Sequence, residues 1–194
     1  MTRTIRFPAG RRLAIVAAAL VVAALAVALA VDLIGRHDRS SNASGAHAAL
    51  HGRPLPSVQV KRFDATGTEV DIRSLAEGKP MLINVWSSTC EPCKREMPAL
   101  DRVSRQLKGR VTFVGVNVSD TADTGRRFFE RYGATYLQVR DPRASLVAAV
   151  GSQVLPTTLI VDRNGDVVDG HLGALTAPEV RDLLQADLGI RTSG

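Results

Sequence analysis

The sequence predicts an α/β domain built on a mixed central β-sheet, and three observations carry the prediction. From Val58 onward, segments with strand patterning alternate with segments of helical periodicity, as in sheets covered by helices on both faces. Two of the strand candidates, Met81–Trp86 and 111–118, are near-continuous apolar runs, which is how strands buried on both faces read. Residues 58–63 and 68–72 alternate in polarity on either side of Asp64-Ala65-Thr66-Gly67. Strands joined by so short a turn pair antiparallel, so this N-terminal hairpin makes the sheet mixed.

Past that hairpin, Gly78-Lys79-Pro80 breaks the chain before the strand Met81–Trp86. A helix then runs from beyond Cys93 to about Leu107, with Met97, Leu100, Val103 and Leu107 on one face and Lys94, Arg95, Arg102 and Arg105 on others. Gly109 ends it, and Pro98 is expected to kink it. Strand 111–118 follows, then a helix over 124–132 closed by Gly133, a short strand at 136–139 and a short helix at 143–150 closed by Gly151. A strand over 158–162 leads through an Asn164-Gly165 turn into a last strand, 167–171. Thr176-Ala177-Pro178-Glu179 combines a capping box with a first-turn proline, so a final helix runs to about Leu188. No internal repeat is visible.

The chain of 194 residues is 45% hydrophobic, enough for a real core, and only 4% aromatic, so that core is mostly Val, Leu, Ile and Ala. The net charge of +6 is located rather than spread. Arg3, Arg6, Arg11, Arg12, Arg36 and Arg39 face only Asp32 and Asp38 in residues 1–39, which leaves the remainder near neutrality. Basicity confined to one end argues topology and speaks against a nucleic-acid surface on the domain. Residues 13–31 are an unbroken apolar run without charge, Gly or Pro. At ~1.5 Å per residue the run approaches the ~30 Å hydrocarbon layer. The expected organisation is a basic cytoplasmic N-terminus (1–12), a transmembrane anchor (13–33), a flexible linker (34–56) and an α/β domain (57–190) on the far side of the cell membrane. The alternative for the first segment is a signal peptide cleaved near Ala30, after Ala28-Leu29-Ala30, which would release the domain as a secreted protein. His37, His47 and His51 read as solvated linker residues.

Both cysteines of the chain lie at one strand-to-helix junction, as Cys90-Glu91-Pro92-Cys93. A structural disulfide there would enclose two residues and add little stability. A zinc site needs four ligands, and the domain offers no third cysteine and a single histidine, His171. A redox dithiol accounts for more: a helix start presents unpaired N–H groups and partial positive charge, which favour thiolate over thiol. In that reading Cys90 attacks a substrate disulfide and Cys93, one turn in, resolves the mixed disulfide. Pro92 stiffens the turn and removes an N–H that has no helical partner. No cofactor and no metal are expected.

Trp86-x-x-x-Cys90-x-x-Cys93-Lys94, with Leu155-Pro156-Thr157-Thr158 further on, resembles the thioredoxin superfamily. Asn84-Val85-Trp86, the run Cys90-Glu91-Pro92-Cys93-Lys94-Arg95-Glu96-Met97-Pro98 and the N-terminal hairpin narrow the likeness to membrane-anchored TlpA/ResA-like thiol-disulfide oxidoreductases, over about residues 54–190. The resemblance implies a thioredoxin-like fold with an N-terminal hairpin extension. It also implies an extracytoplasmic reductant of protein disulfides, possible substrates including apocytochrome c, recharged by a membrane electron donor of the thiol-reducing type. It makes Cys90 the nucleophile, Cys93 the resolving cysteine, Pro156 a cis-proline facing them, and Glu96 a candidate for proton transfer. For Glu96 the alternative is an exposed first-turn glutamate favoured by the helix dipole. Substrate contacts are expected from Trp86, Thr89, Glu91, Pro92 and Leu155. Two positions depart from the family pattern: Asn84 replaces the strand aspartate of general thioredoxins, and Thr89 stands where most members carry Trp. An oxidant of the same fold, a non-catalytic binding domain and a thiol peroxidase are the alternatives.

Overall fold

The computed structural model describes residues 51–64 and 66–192. Among these residues eight strands form one sheet: β1 (Arg53–Pro54), β2 (Gln59–Arg62), β3 (Glu69–Asp71), β4 (Met81–Trp86), β5 (Thr112–Val118), β6 (Leu137–Asp141), β7 (Thr157–Val161) and β8 (Asp166–Leu172), in the spatial order β1-β8-β7-β4-β5-β6-β2-β3. Among the described residues four α-helices interleave with them: α1 (Glu91–Gln106), α2 (Ala122–Arg131), α3 (Ser145–Ala149) and α4 (Ala177–Leu188). Strands β4, β5 and β6 are mutually parallel, and every other pairing is antiparallel. The sheet is therefore mixed, with the β2–β3 hairpin hydrogen-bonded to β6 at one side.

Alternation along β4 divides the core. Met81, Ile83 and Val85 point into a cluster with Val114, Val116 and Val139, covered by Leu146 and Val150 around α3 and by Ile72 and Leu75 of a 3-10 turn (Ile72–Ala76). Leu82 and Trp86 point the other way, into a cluster with Phe113, with Met97, Leu100 and Val103 of α1, Phe128 of α2, and Val180 and Leu184 of α4. All six residues of β4 are buried, so this strand lies at the centre of the fold. Its carboxyl end leads through a short turn to Cys90, which is half-buried.

The element order matches the sequence expectation, with two differences. Arg53–Pro54, assigned by composition to a linker ending at 56, forms a strand: Arg53 pairs with Val167 and Pro54 with Asp166, and Leu55 enters the core. The fold thus closes over β8 with a strand that has too few residues to show alternation. The second hairpin strand is shorter than expected, because the Asp71 side chain accepts from the Arg73 N–H and caps the 3-10 turn. Between β7 and β8, Gly165 takes φ +88°, the left-handed conformation that the Asn164-Gly165 turn requires. The expected membrane segment, residues 13–33, lies outside the described residues. Among those described, no helix is long and apolar enough to cross a membrane.

Candidate active site

Cys90 and Cys93 are joined in a disulfide, with their Cα atoms 5.3 Å apart. Cys90 is the N-cap of α1, and its sulfur accepts from the Cys93 N–H at 3.2 Å. This donor is one of the helix-start N–H groups that would hold a thiolate on Cys90 after reduction. Cys90 is half-buried, whereas Cys93 is 1% exposed and packs with Trp86 and Met97. An attacking reagent from solvent therefore reaches Cys90 first. Pro92 lies in the first turn of α1, and Glu91 is exposed and paired with Lys94.

The Leu155–Pro156 peptide is cis. Because Val85 pairs with Thr157 in the antiparallel β4–β7 register, the residues before Thr157 run beside those after Val85. Strand pairing thus sets residues 154–156 alongside the turn that leads into Cys90. Leu155, like Cys90, packs against the buried cluster that contains Cys93.

Glu96 is 1% exposed, so it is not the solvated first-turn glutamate of the alternative reading. One carboxylate oxygen accepts from the Asn84 side-chain amide, and the other from the Leu175 backbone N–H at 3.0 Å. Asn84 also donates to Thr158 Oγ1 at 3.3 Å. Burial pushes the Glu96 carboxyl up from 4.5 to about 7, against the opposing pull of its two donors. A groove of about 550 Å³ reaches Glu96 between α1 and the loop before α4, lined by Arg95, Ala99, Arg102 and Leu175 among others. Neither cysteine lines it.

Trp86 requires a correction. It is fully buried, stacked on Phe128 at 4.9 Å between ring centroids, and its indole N–H donates to Gln138 Oε1 at 3.0 Å. It supports the site from beneath and offers no surface to a substrate. Thr89, by contrast, is exposed beside Cys90.

Asp120 belongs to the site although sequence reasoning passed over it. Its carboxylate accepts from the Ser88 N–H at 2.8 Å, the Ser88 hydroxyl at 2.6 Å and the Asn117 side-chain amide at 2.6 Å. This clamps the turn before Cys90 to the carboxyl end of β5. The available signal was its position: loops at the carboxyl ends of adjacent parallel strands converge. Among the described residues, no three His, Cys, Asp or Glu side chains are placed to hold a metal ion.

The comparisons agree with this geometry. The family model for Redoxin matches residues 50–186. Thiol-disulfide oxidoreductase ResA of Halalkalibacterium halodurans is 32% identical over 123 residues, 63% of this chain and 69% of that one. Thiol:disulfide interchange protein DsbE of Xylella fastidiosa is 32% identical over 171 residues, 88% of this chain and 82% of that one. The solved structure of MTB DsbF, in mixed oxidised and reduced forms, superimposes with a TM-score of 0.60 at 27% identity, over 67% of this chain and 94% of that one.

Proposed function

The chain belongs to the Redoxin family as a TlpA/ResA-like thiol-disulfide oxidoreductase of the thioredoxin superfamily, and from that premise we propose that it reduces disulfides of exported proteins outside the cell membrane. The observation that carries the reading is a cysteine pair at the start of α1 with a buried carboxyl, Glu96, one turn beyond.

The cycle starts from the reduced dithiol. Cys90, as thiolate, attacks one sulfur of the substrate disulfide; that S–S bond breaks, the other sulfur leaves as thiolate, and a mixed disulfide forms. Glu96, as carboxylate, takes the proton of the Cys93 thiol. The Cys93 thiolate then attacks the Cys90 sulfur, releasing the second substrate sulfur and closing the internal disulfide. Two electrons have passed to the substrate. The proton held by Glu96 leaves by the groove between α1 and the loop before α4, which the substrate's approach to Cys90 does not need to cover. A carboxyl titrating near 7 suits a group that must accept and release a proton near neutrality. Thr89 and Glu91, exposed, with the half-buried Pro92 and Leu155, offer the surface near the half-buried Cys90, and Pro156 is buried behind Leu155.

Residues 13–33 would hold the domain at the membrane, where a thiol-reducing electron donor returns Cys90 and Cys93 to the dithiol. Apocytochrome c, whose cysteines must be reduced before haem attachment, is the substrate class the ResA/DsbE-like relationship suggests. Titration of the full chain in dithiothreitol or glutathione buffers tests the direction of electron flow. A reduction potential near about −270 mV, or lower, supports a reductant; one near about −120 mV overturns it in favour of an oxidant.

A further inference from the structure

Arg140 stands in β6, opposite Asn117 of β5 on one side and Lys61 of β2 on the other. One of its guanidinium nitrogens donates to the Asp120 carbonyl at 3.0 Å. Its Nε is buried and has no hydrogen-bond partner among the described residues. A buried donor left unmatched costs free energy and asks for a reason. The reason lies in the Phe63 ring: the guanidinium carbons of Arg140 and Arg126 sit 6.0 and 5.9 Å from its centroid, within reach of the negative face of the ring. Phe63 is itself pinned. It is buried, its ring meets Phe129 edge-on with centroids 5.1 Å apart, and its carbonyl accepts from Arg126. Phe63 directly follows β2, so the N-terminal hairpin is what holds Arg140 in place.

Asp120 carries this grip to the dithiol. The chain leaves β5 through Ser119 at φ +66°, a left-handed conformation that a residue other than glycine keeps only where its surroundings impose it. Asp120 then serves two sides, its carbonyl taking Arg140 and its carboxylate taking Ser88 and Asn117. Ser88 belongs to the turn in which the Cys90 N–H donates to the Ser87 carbonyl at 3.2 Å. Cys90 enters α1 as its N-cap straight from that turn, so the approach of its sulfur to the Cys93 N–H depends on where the turn is held.

We infer that Arg140, held over Phe63 by the N-terminal hairpin, is a positioning residue that sets Cys90 at the start of α1 through Asp120 and Ser88. The inference rests on Cys90 being the attacking sulfur of the exchange proposed above.

Iodoacetamide alkylation of the reduced full chain, followed across pH and assigned to a cysteine by mass spectrometry, reads the titration of Cys90. Arg140→Met removes the donor and keeps an apolar stem. It should raise that titration by about one pH unit, seen as roughly tenfold slower alkylation on the acid side of the profile. Phe63→Leu leaves Arg140 and every charge near the turn (Glu91, Lys94, Glu96, Asp120) in place and should move the titration the same way. In the oxidised protein both variants should speed amide exchange at Ser88. Ile72→Ala, in the core cluster on the opposite face of the sheet, lowers the unfolding midpoint and should leave the Cys90 titration unchanged. A wild-type titration in Arg140→Met overturns the inference, as does an equal rise in Ile72→Ala. A raised titration without faster Ser88 exchange also overturns it, because the Arg140 charge would then act on Cys90 directly. Should Arg140→Met fail to fold, Phe63→Leu carries the same comparisons. If wild type is alkylated on Cys93 in place of Cys90, the exchange reading falls as well.

Discussion

Replacing Glu96 by Gln should flatten the pH dependence of stability in the oxidised protein. In the folded chain the Glu96 carboxyl is pushed from 4.5 to about 7 by burial. Between those values the native state holds a proton that the unfolded state has released, so stability falls as pH rises. The contribution is fully present below about pH 4.5 and is lost as pH rises through about 7. At about 1.4 kcal/mol per pH unit of displacement, the whole change is roughly 3 kcal/mol. Gln at this position can still accept from the Leu175 N–H and cannot titrate. The stability difference between variant and wild type should therefore move by roughly 3 kcal/mol in favour of the variant between pH 4.5 and 8. Urea unfolding followed by tryptophan fluorescence measures this directly. Trp86 is the one tryptophan of the sequence, and it lies in the same core cluster as Cys93, against which Cys90 packs. Working with the disulfide intact keeps thiol titration out of the curve. A difference that stays constant across this range would refute the buried-acid account of Glu96.

Gly115→Ala should destabilise the domain by about 1–3 kcal/mol, because a Cβ at that position would overlap the Gln138 side-chain amide and displace the acceptor of the Trp86 N–H. Unchanged unfolding midpoint and tryptophan emission would contradict that packing. Asp120→Ala should leave the Ser88 N–H without its acceptor and cost about 1–3 kcal/mol. Amide hydrogen exchange at Ser88 should accelerate, and exchange at the wild-type rate would show that Asp120 does not hold the turn.

Much of this was legible in sequence because it is local. Met81–Trp86 reads as a central strand from six residues, and the dithiol reads from two cysteines at a strand-to-helix junction. The Thr176–Glu179 box likewise caps α4 as its four residues imply, with the Thr176 N–H donating to Glu179 Oε2 at 2.7 Å. What escaped depends on distant partners. Glu96 reads the same in sequence whether buried or exposed, and the group that decides is the Leu175 N–H, 79 residues away. Trp86 ends its strand, where a side chain can turn either to solvent or to the core; Gln138, 52 positions on, holds it inside. Arg53–Pro54 has no alternation to detect, and only the edge of β8 makes it a strand. The β2–β3 hairpin was visible as a pair, but its attachment to β6 was not, since nothing in two alternating segments names a third.

The central claim is that Cys90 carries the exchange and Cys93 completes it. Trapping tests this most directly: reduced Cys93→Ser and Cys90→Ser variants of the full chain are mixed with a disulfide substrate, and the adducts are resolved by mass spectrometry under non-reducing conditions. The account predicts a stable mixed disulfide on Cys90 in Cys93→Ser and no comparable adduct in Cys90→Ser. An adduct that accumulates on Cys93 instead, or turnover that survives Cys90→Ser, would contradict it.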